Sequence, residues 1–276
     1  MDASEAVRQE QVDAANRQAM ASRGAVAHYA RQSELDAGEA ALYAVVAAES
    51  RGRPVLDIGV GGGRTTPALT AISSDYTAID YTPAMVEATR RRYPAVRVLE
   101  ADARRLEQFA AGAFHLVVFS CAGLDMVGAE DRRQILAEVR RVLEPGGAFV
   151  FSTHSLVHRR RQPEPGLASL FGPLETGSPL RLARSLARSL RDGVARARNL
   201  RSLRHLGEQH DGWAILNSHY HDYGTLMHYA SLAEQRAGLV QAGFLPAAMA
   251  YTHEGQPVGP EEPDTLLLHV LARVPG

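Results

Sequence analysis

The sequence predicts an α/β fold, a doubly wound and mostly parallel sheet, and three observations predict it. Short apolar runs alternate with segments of helix length between residues 50 and 154. The runs are apolar at consecutive positions, the mark of strands buried on both faces, and their alternation with helices implies parallel pairing. The first run leads into the glycine loop of Val55-Leu-Asp-Ile-Gly-Val-Gly-Gly-Gly-Arg-Thr-Thr66, and the second ends in an acid. Open α/β sheets bind ligands at such carboxyl ends of strands.

Taken in order, residues 1–24 are polar and rich in Ala and Gln, which predicts a frayed helix or a disordered arm ended by Gly24. From Ser33 to about Glu49, Leu35, Leu42, Val45 and Val46 fall at helical spacing, with Asp36 and Glu39 near the start where the helix dipole favours acids. Arg51-Gly-Arg-Pro54 breaks that helix. Val55–Ile58 is the first strand and Thr66–Ser73 the helix after its loop. Tyr76–Asp80 is the second strand. Thr82-Pro-Ala-Met-Val-Glu87 opens a helix with a good N-cap and Pro at its first position. Val96–Glu100 and Phe114–Ser120 are the third and fourth strands. Asp131–Leu143 is an amphipathic helix stopped by Glu144-Pro-Gly-Gly147, and Ala148–Ser152 is the fifth strand. After an insertion of different composition, Ser231–Gly243 is a helix with a Gly cap. Leu245–Thr252 and Thr265–Val274 are two final strands, expected as an antiparallel hairpin at one sheet edge.

A chain of 276 residues makes one large domain, or one domain with a substantial insertion. Apolar residues at 45% and charged ones at 22% are ordinary for a globular protein. The net charge of −1 gives no whole-protein field that selects nucleic acid or membrane. Cys121 is the single cysteine, so an internal disulfide is impossible and a reducing compartment fits. The N-terminus lacks the charged-then-apolar order of a signal peptide, and no run approaches a membrane span. These features predict a cytoplasmic location.

The glycine loop narrows the ligand. A P-loop needs Gly-Lys-Ser/Thr at its end, whereas Gly63 is followed by Arg64-Thr65. A dinucleotide loop is nearer, since Asp80 lies about 20 residues on, but Arg64 stands where its third glycine belongs. Asp57 would repel a pyrophosphate and attract an ammonium. The loop therefore suits a nucleoside carrying an amino acid better than one carrying phosphates, and S-adenosylmethionine is such a ligand.

VLDIGVGGGRTT, YTAIDYTPAMVEA, LEADARRL, FHLVVFS and ILAEVRRVLEPGGAFVFSTHS resemble, in order and spacing, the class I S-adenosylmethionine-dependent methyltransferases. The match covers roughly residues 50–154, with a family-like end from 231 onward. The resemblance implies a Rossmann-like seven-stranded sheet in the class I methyltransferase order, its last strand antiparallel, with a helical insertion after strand 5. It implies a helical lid over 1–50, a cofactor core over 51–154, an Arg-rich substrate cap over 155–228, and a completing helix and strand pair over 229–276. The implied cofactor is S-adenosyl-L-methionine and the product S-adenosyl-L-homocysteine. Asp57, Gly59, Gly61 and Gly63 would line the methionine portion. Asp80 would accept both ribose hydroxyls, because a carboxylate takes two O–H donors. Tyr81 and Met85 would pack on adenine, unless they are plain core residues. Asp102 would accept from the adenine amino group, with the Ala103 N–H on a ring nitrogen. Ser120 and Cys121 would lie beside the sulfonium. Tyr29, after His28, resembles the aromatic of a lid helix.

Methyl transfer is an in-line displacement in which the protein aligns the acceptor and sometimes removes a proton. Ser120-Cys-Ala-Gly-Leu-Asp125 lacks the Asn/Asp-Pro-Pro-aromatic motif of many base and amide N-methyltransferases, which weighs against nucleic-acid bases and protein Gln as acceptors. His154 ends the fifth strand and is a candidate base, or a satisfied turn histidine. His219-Tyr-His-Asp-Tyr223 predicts a substrate-lining hairpin turning near Asp222–Gly224. As a strand it would put His219 and His221 on one face. Two histidines without a convincing third ligand argue against a metal, and no metal is expected. The insertion carries eleven arginines over 155–206 against Glu164, Glu175 and Asp192, so 11 − 3 = +8. Leu182, Leu186, Leu190 and Val194 form one apolar stripe on a helix expected to cap the site. The basic face also suits an anionic acceptor, a lipid surface or RNA, but residues 181–206 hold no aromatic to stack bases, which disfavours nucleic acid. The favoured function is methylation of O, N or C on a small-molecule acceptor, a specialised metabolite, by a monomer or homodimer. The alternatives are an RNA or protein methyltransferase using the basic insertion, and a non-catalytic cofactor-binding regulator. Asp57 and Arg64 disfavour an NAD-dependent oxidoreductase.

Overall fold

The five apolar runs become β1 (Val55–Ile58), β2 (Tyr76–Asp80), β3 (Arg97–Glu100), β4 (Phe114–Phe119) and β5 (Leu143–Ser155). The structure, a computed structural model, describes residues 3–163, 170–172, 177–246 and 248–276. β1 is central, paired in parallel with β2 at Val55↔Tyr76 and with β4 at Val55↔Leu116, and the order runs β3-β2-β1-β4-β5. β1, β2 and β4 are buried along their whole lengths, which is why their sequences show no polar alternation.

Helices cover both faces. α3 (Ala37–Ser50), α4 (Thr66–Ile72) and α5 (Pro83–Arg92) place Leu42, Leu69 and Val86 with Val55 in one apolar layer. α6 (Ala129–Val142) and α9 (Leu232–Gln241) place Val139 and Leu239 with Leu56 in the other. Val55 and Leu56 thus point to opposite layers, the two-residue period of a strand. Each such side chain buried completely contributes roughly 1.5–3 kcal/mol. Asp36 caps α3 and closes a capping box with Glu39.

The sheet has ten strands rather than seven. The additional three lie in the insertion: β6 (Glu208–Gln209), β7 (Trp213–Ser218) and β8 (Thr225–Ala230), an antiparallel meander. β5 outruns β4, whose last pair with it is Phe119↔Phe151, so its final residues offer unpaired backbone. β8 takes that place in parallel, through His154↔Tyr229 and Ser155↔Ala230. The expected terminal hairpin is present as β9 (Met249–Thr252) and β10 (Leu267–Arg273), and β10 also pairs antiparallel with β5.

The N-terminus is not a frayed arm. It forms α1 (Ala3–Met20) and α2 (Arg23–Arg31), separated at Ser22, which caps α2, while Gly24 lies inside α2. Asn16 fixes α1 because all three of its hydrogen bonds go to backbone. Its Nδ2 donates to Met126 O at 2.6 Å and Leu226 O at 2.8 Å, and its Oδ1 accepts from the Leu226 N–H at 2.8 Å.

After β5 come α7 (Leu156–Arg161) and α8 (Pro179–Leu203). α8 is the predicted amphipathic helix, but its leucine stripe faces outward and it buries Ser185, Ser189 and Gly193 instead. Glu164 and Glu175 lie outside the described residues. Among the described residues, no helix is long and apolar enough to cross a membrane.

Candidate cofactor and acceptor site

A cavity of about 430 Å³ opens at the carboxyl ends of β1, β2, β3 and β4. That volume is in the range of small-ligand sites, roughly 300–1,000 Å³. Of the residues singled out in the sequence, Tyr29, Gly59, Gly61, Asp80, Tyr81, Ala103, Ser120, Cys121, His154 and His221 line it. Asp57, Gly63, Met85, Asp102 and His219 do not, and each has a physical reason.

Gly59 and Gly61 adopt φ of +65° and +57°, a region that favours glycine, and this folds the loop into a cradle under the cavity. The Gly61 N–H donates to Asp80 Oδ2 at 2.9 Å and the Thr82 N–H to Asp80 Oδ1 at 2.8 Å. Burial pushes the Asp80 carboxyl above its ordinary range, partly offset by these two donors. Each oxygen keeps a further lone pair. Gly62 went unremarked in the sequence, yet a Cβ there would sit 2.4 Å from Tyr29 O, so its missing side chain is what lets α2 close over the loop. Arg92 Nη1 fastens the junction, donating to Gly62 O at 3.0 Å and Gln32 O at 2.9 Å.

Gly63 turns away, where a Cβ would strike the Tyr93 ring at 2.6 Å, so it serves the packing of α5. Met85, 1% exposed, is interior to α5 and belongs to the core. Asp57 stands behind the loop, 1% exposed, accepting from Thr65 Oγ1 at 2.6 Å and Tyr76 OH at 2.7 Å. Burial pushes its carboxyl up to about 6 against the pull of those hydrogen bonds. The cation facing the cavity is Arg64, whose Nη2 donates to Glu39 Oε1 at 2.6 Å. Glu39 with Asp36 and His269 forms, among the described residues, the one group at metal-ligand spacing. Capping and the Arg64 pair already occupy its two acids.

Asp102 is held by arginines rather than left to face the cavity. Arg104 Nη2 donates to its Oδ2 at 2.6 Å and Arg17 Nη2 at 2.7 Å. Burial raises this carboxyl, but the Arg104 and Arg17 contacts outweigh it and hold it at about 2, below its ordinary 3.8. The folded value is the lower one, so the stability this group contributes is present above about pH 4 and is lost as pH falls towards 2. Asp102→Asn is expected to cost about 1–2 kcal/mol at neutral pH and to show a smaller difference from the parent at the acid end, measured by urea unfolding across pH. The same Arg17 lies 4.4 Å above the Tyr81 ring and covers it.

Residues 55–147 match the family model described as a methyltransferase domain. This segment is a methyltransferase domain, of the class I S-adenosylmethionine-dependent kind. The chain is 33% identical over 94 residues to a demethylmenaquinone methyltransferase of Chlorobaculum tepidum, covering 34% of this chain and 37% of that one. It is 32% identical over 147 residues to an uncharacterised methyltransferase of Synechocystis sp., covering 52% and 66%. The chain thus matches well under half the length of the first of these relatives. Among solved structures, the CcbJ methyltransferase from Streptomyces caelestis superposes with a TM-score of 0.56 at 18% identity, over 88% of this chain and 91% of that one. The glycopeptide N-methyltransferase MtfA complexed with sinefungin gives 0.55 at 18% identity, over 88% and 95%. At such identities the likeness concerns the fold.

A second cavity of about 370 Å³ adjoins the first, and His154 and Tyr220 line both. His154 Nδ1 lies 3.0 Å from Asp125 Oδ2, and the His154 backbone N–H donates to the same oxygen at 2.6 Å. Asp125 Oδ1 accepts from Thr153 Oγ1 at 2.8 Å and Arg132 Nη1 at 2.9 Å. Burial raises the Asp125 carboxyl, but His154 and Arg132 outweigh it and keep it low, hence ionised. An ionised acceptor there keeps the proton on Nδ1 and leaves the Nε2 lone pair of His154 to receive another. Sequence reasoning missed Asp125 and Arg64 as a cavity residue, while Tyr220 lies in the segment it read as substrate-lining.

The turn carrying the other two histidines also departs from expectation. β7 and β8 form the predicted hairpin, but His221, Asp222 and Tyr223 at its tip are all left-handed, with φ of +52°, +55° and +58°. The segment is not a strand, so His219 and His221 do not share a face. His221 lines the first cavity, its Nε2 3.3 Å from Tyr29 OH, and His219 the second. Burial lowers the pKa of both. Cys121 and Ala122, also left-handed at +56° and +53°, line the first cavity too.

Proposed function

We propose that this chain transfers the methyl group of S-adenosylmethionine to O, N or C of a small-molecule acceptor, a specialised metabolite, seated across the second cavity. The observation that carries the reading is the pair of adjoining cavities with His154 between them, one floored by the glycine cradle and Asp80, the other walled by histidines and tyrosines. The donor set fits the cofactor: Asp80 has lone pairs for two ribose hydroxyls, Gly59 and Gly61 admit close approach, and Tyr81, one ring face of which is taken by Arg17, lines the cavity with the rest of its ring. Arg64 suits the carboxylate of an amino-acid tail. Asp57 acts on the ligand through the loop it braces and not by contact.

The cofactor supplies an electrophilic methyl group on a sulfonium. The protein holds the acceptor in line with it, excludes water, and takes up any proton the acceptor releases on His154 Nε2. His219 and Tyr220 border the acceptor and His221 and Tyr29 bridge the cavity roof. Residues 1–50 serve as the lid, 51–154 as the cofactor core, 155–228 as the acceptor cap, and 229–276 complete the sheet. Two measurements test this. Calorimetric titration with S-adenosylhomocysteine is expected to give one site per chain, and methyl-labelled cofactor incubated with a panel of phenols, amines and carbon acids is expected to label at least one. No uptake of the nucleoside overturns the reading, as does uptake without transfer to any acceptor class.

A further inference from the structure

We propose that the outer face of α8 docks this protein on an anionic lipid surface. The reason is an inversion of ordinary burial. α8 turns small residues inward: Ser189 Oγ donates to Gly172 O at 3.2 Å, and a Cβ on Gly193 would lie 2.6 Å from the Phe171 ring. Its large apolar residues face solvent, with Leu182, Leu186, Leu190 and Val194 exposed by 41, 45, 51 and 68%. Their four-residue spacing makes one stripe about 18 Å long. In a helix serving only its own domain, such a stripe faces the core.

Charge decides the occupant. α8 carries Arg at 181, 184, 188, 191, 196, 198 and 201 against Asp192, so 7 − 1 = +6. The whole chain is −1, leaving −1 − 6 = −7 for everything else. Arg196 is engaged by Asp222 at 2.8 Å, while Arg181, Arg184, Arg198 and Arg201 are exposed. A second copy docked through this stripe would bring two strongly basic helices together. RNA would satisfy the arginines and leave the leucines wet, with no aromatic on α8 to stack a base. A lipid interface satisfies both, taking leucines at the acyl boundary and guanidinium groups at the phosphates. α8 also touches the Tyr220–Tyr223 turn, through Arg196 and through Asn199 Nδ2 to Asp222 O at 2.9 Å, so the helix that carries the docking face adjoins a turn that lines both cavities.

The test uses the full chain and sedimenting vesicles, and its readout does not involve methyl transfer. Binding is expected to vesicles of equal parts phosphatidylglycerol and phosphatidylcholine at about 0.1 M salt, and to weaken about tenfold or more in about 1 M salt or on pure phosphatidylcholine. Leu186→Glu with Leu190→Glu, and separately Arg181→Glu with Arg184→Glu, are each expected to weaken partition about tenfold or more without moving the thermal midpoint by more than a few degrees. Three results would overturn the proposal: no binding to the anionic vesicles, unchanged binding by both variants, or a solution dimer that only the leucine variant dissociates. RNA binding abolished by the arginine variant, without vesicle binding, would overturn it too.

Discussion

Asp80→Ala is expected to raise the dissociation constant for S-adenosylhomocysteine about 100-fold or more. The carboxylate lies at the end of β2, 6% exposed, already accepting one backbone N–H on each oxygen. Those bonds fix its plane against the glycine cradle, and the remaining lone pairs face the cavity it lines. Hydrogen bonds to a charged group contribute about 1.5–3 kcal/mol each, and two ribose hydroxyls give a factor of about 100 at the lower end. The substitution also orphans the Gly61 N–H, which loosens the cradle. Asp80→Asn, which keeps an acceptor, is expected to lose less. Calorimetry on the three proteins, with ligand-induced rise in thermal midpoint as a second readout, checks this. Affinity within threefold of the parent would remove Asp80 from the ribose.

The second large effect is expected at His154. With any acceptor that the labelled cofactor identifies as proton-releasing, His154→Ala is expected to lower kcat about 100-fold or more while leaving the affinity for S-adenosylhomocysteine unchanged. Asp125→Asn tests the orientation separately. It keeps the size of the side chain but removes the charge that fixes the proton on Nδ1, so a partial loss of kcat with a displaced pH profile is expected. Asp125→Ala does something different. Both substitutions take the counter-charge from Arg132, 6% exposed, but Asn keeps a side-chain oxygen for it to donate to, whereas Ala removes the acceptor as well and strands the buried guanidinium at a cost of about 3–5 kcal/mol. Asp125→Ala is therefore expected to fail on stability before activity, and Asp125→Asn is the informative variant. An unchanged kcat in His154→Ala would make the histidine a packing residue.

The parallel core was legible because its determinants are local. Val55–Ile58 is apolar at every position, its loop is glycine-rich, and Asp80 ends the next strand, all within a few residues of one another. What was not legible depends on partners distant in sequence. Asp102 is occupied by Arg17, 85 positions earlier, on a helix whose sequence is too polar to announce that it packs. Asp125 meets His154 across 29 positions, through a short 3-10 turn over Gly123–Asp125 that no spacing rule marks. Met85 and Gly63 have the residue types and spacing of ligand contacts, but side-chain direction in α5 and in the loop sends them to the core. In α8 the period reveals two stripes, one of leucines and one of serines and glycine. Periodicity alone cannot say which of them the protein turns inward.

Two ladder pairs, His154↔Tyr229 and Ser155↔Ala230, are the whole backbone seam by which the three-stranded meander joins β5. A narrow seam of this kind makes the cap a transplantable module. Exchanging residues 156–228 for a homologous stretch requires that a new strand end meet the tip of β5 and that the new stretch again offer α1 the backbone groups that Asn16 holds at Leu226 and a partner for Arg8. If the proposed acceptor cap is right, chimeras grafted at His154 and Ala230 with the α1 contacts retained are expected to change the acceptor while leaving the loop after β1 and its affinity for S-adenosylhomocysteine in place.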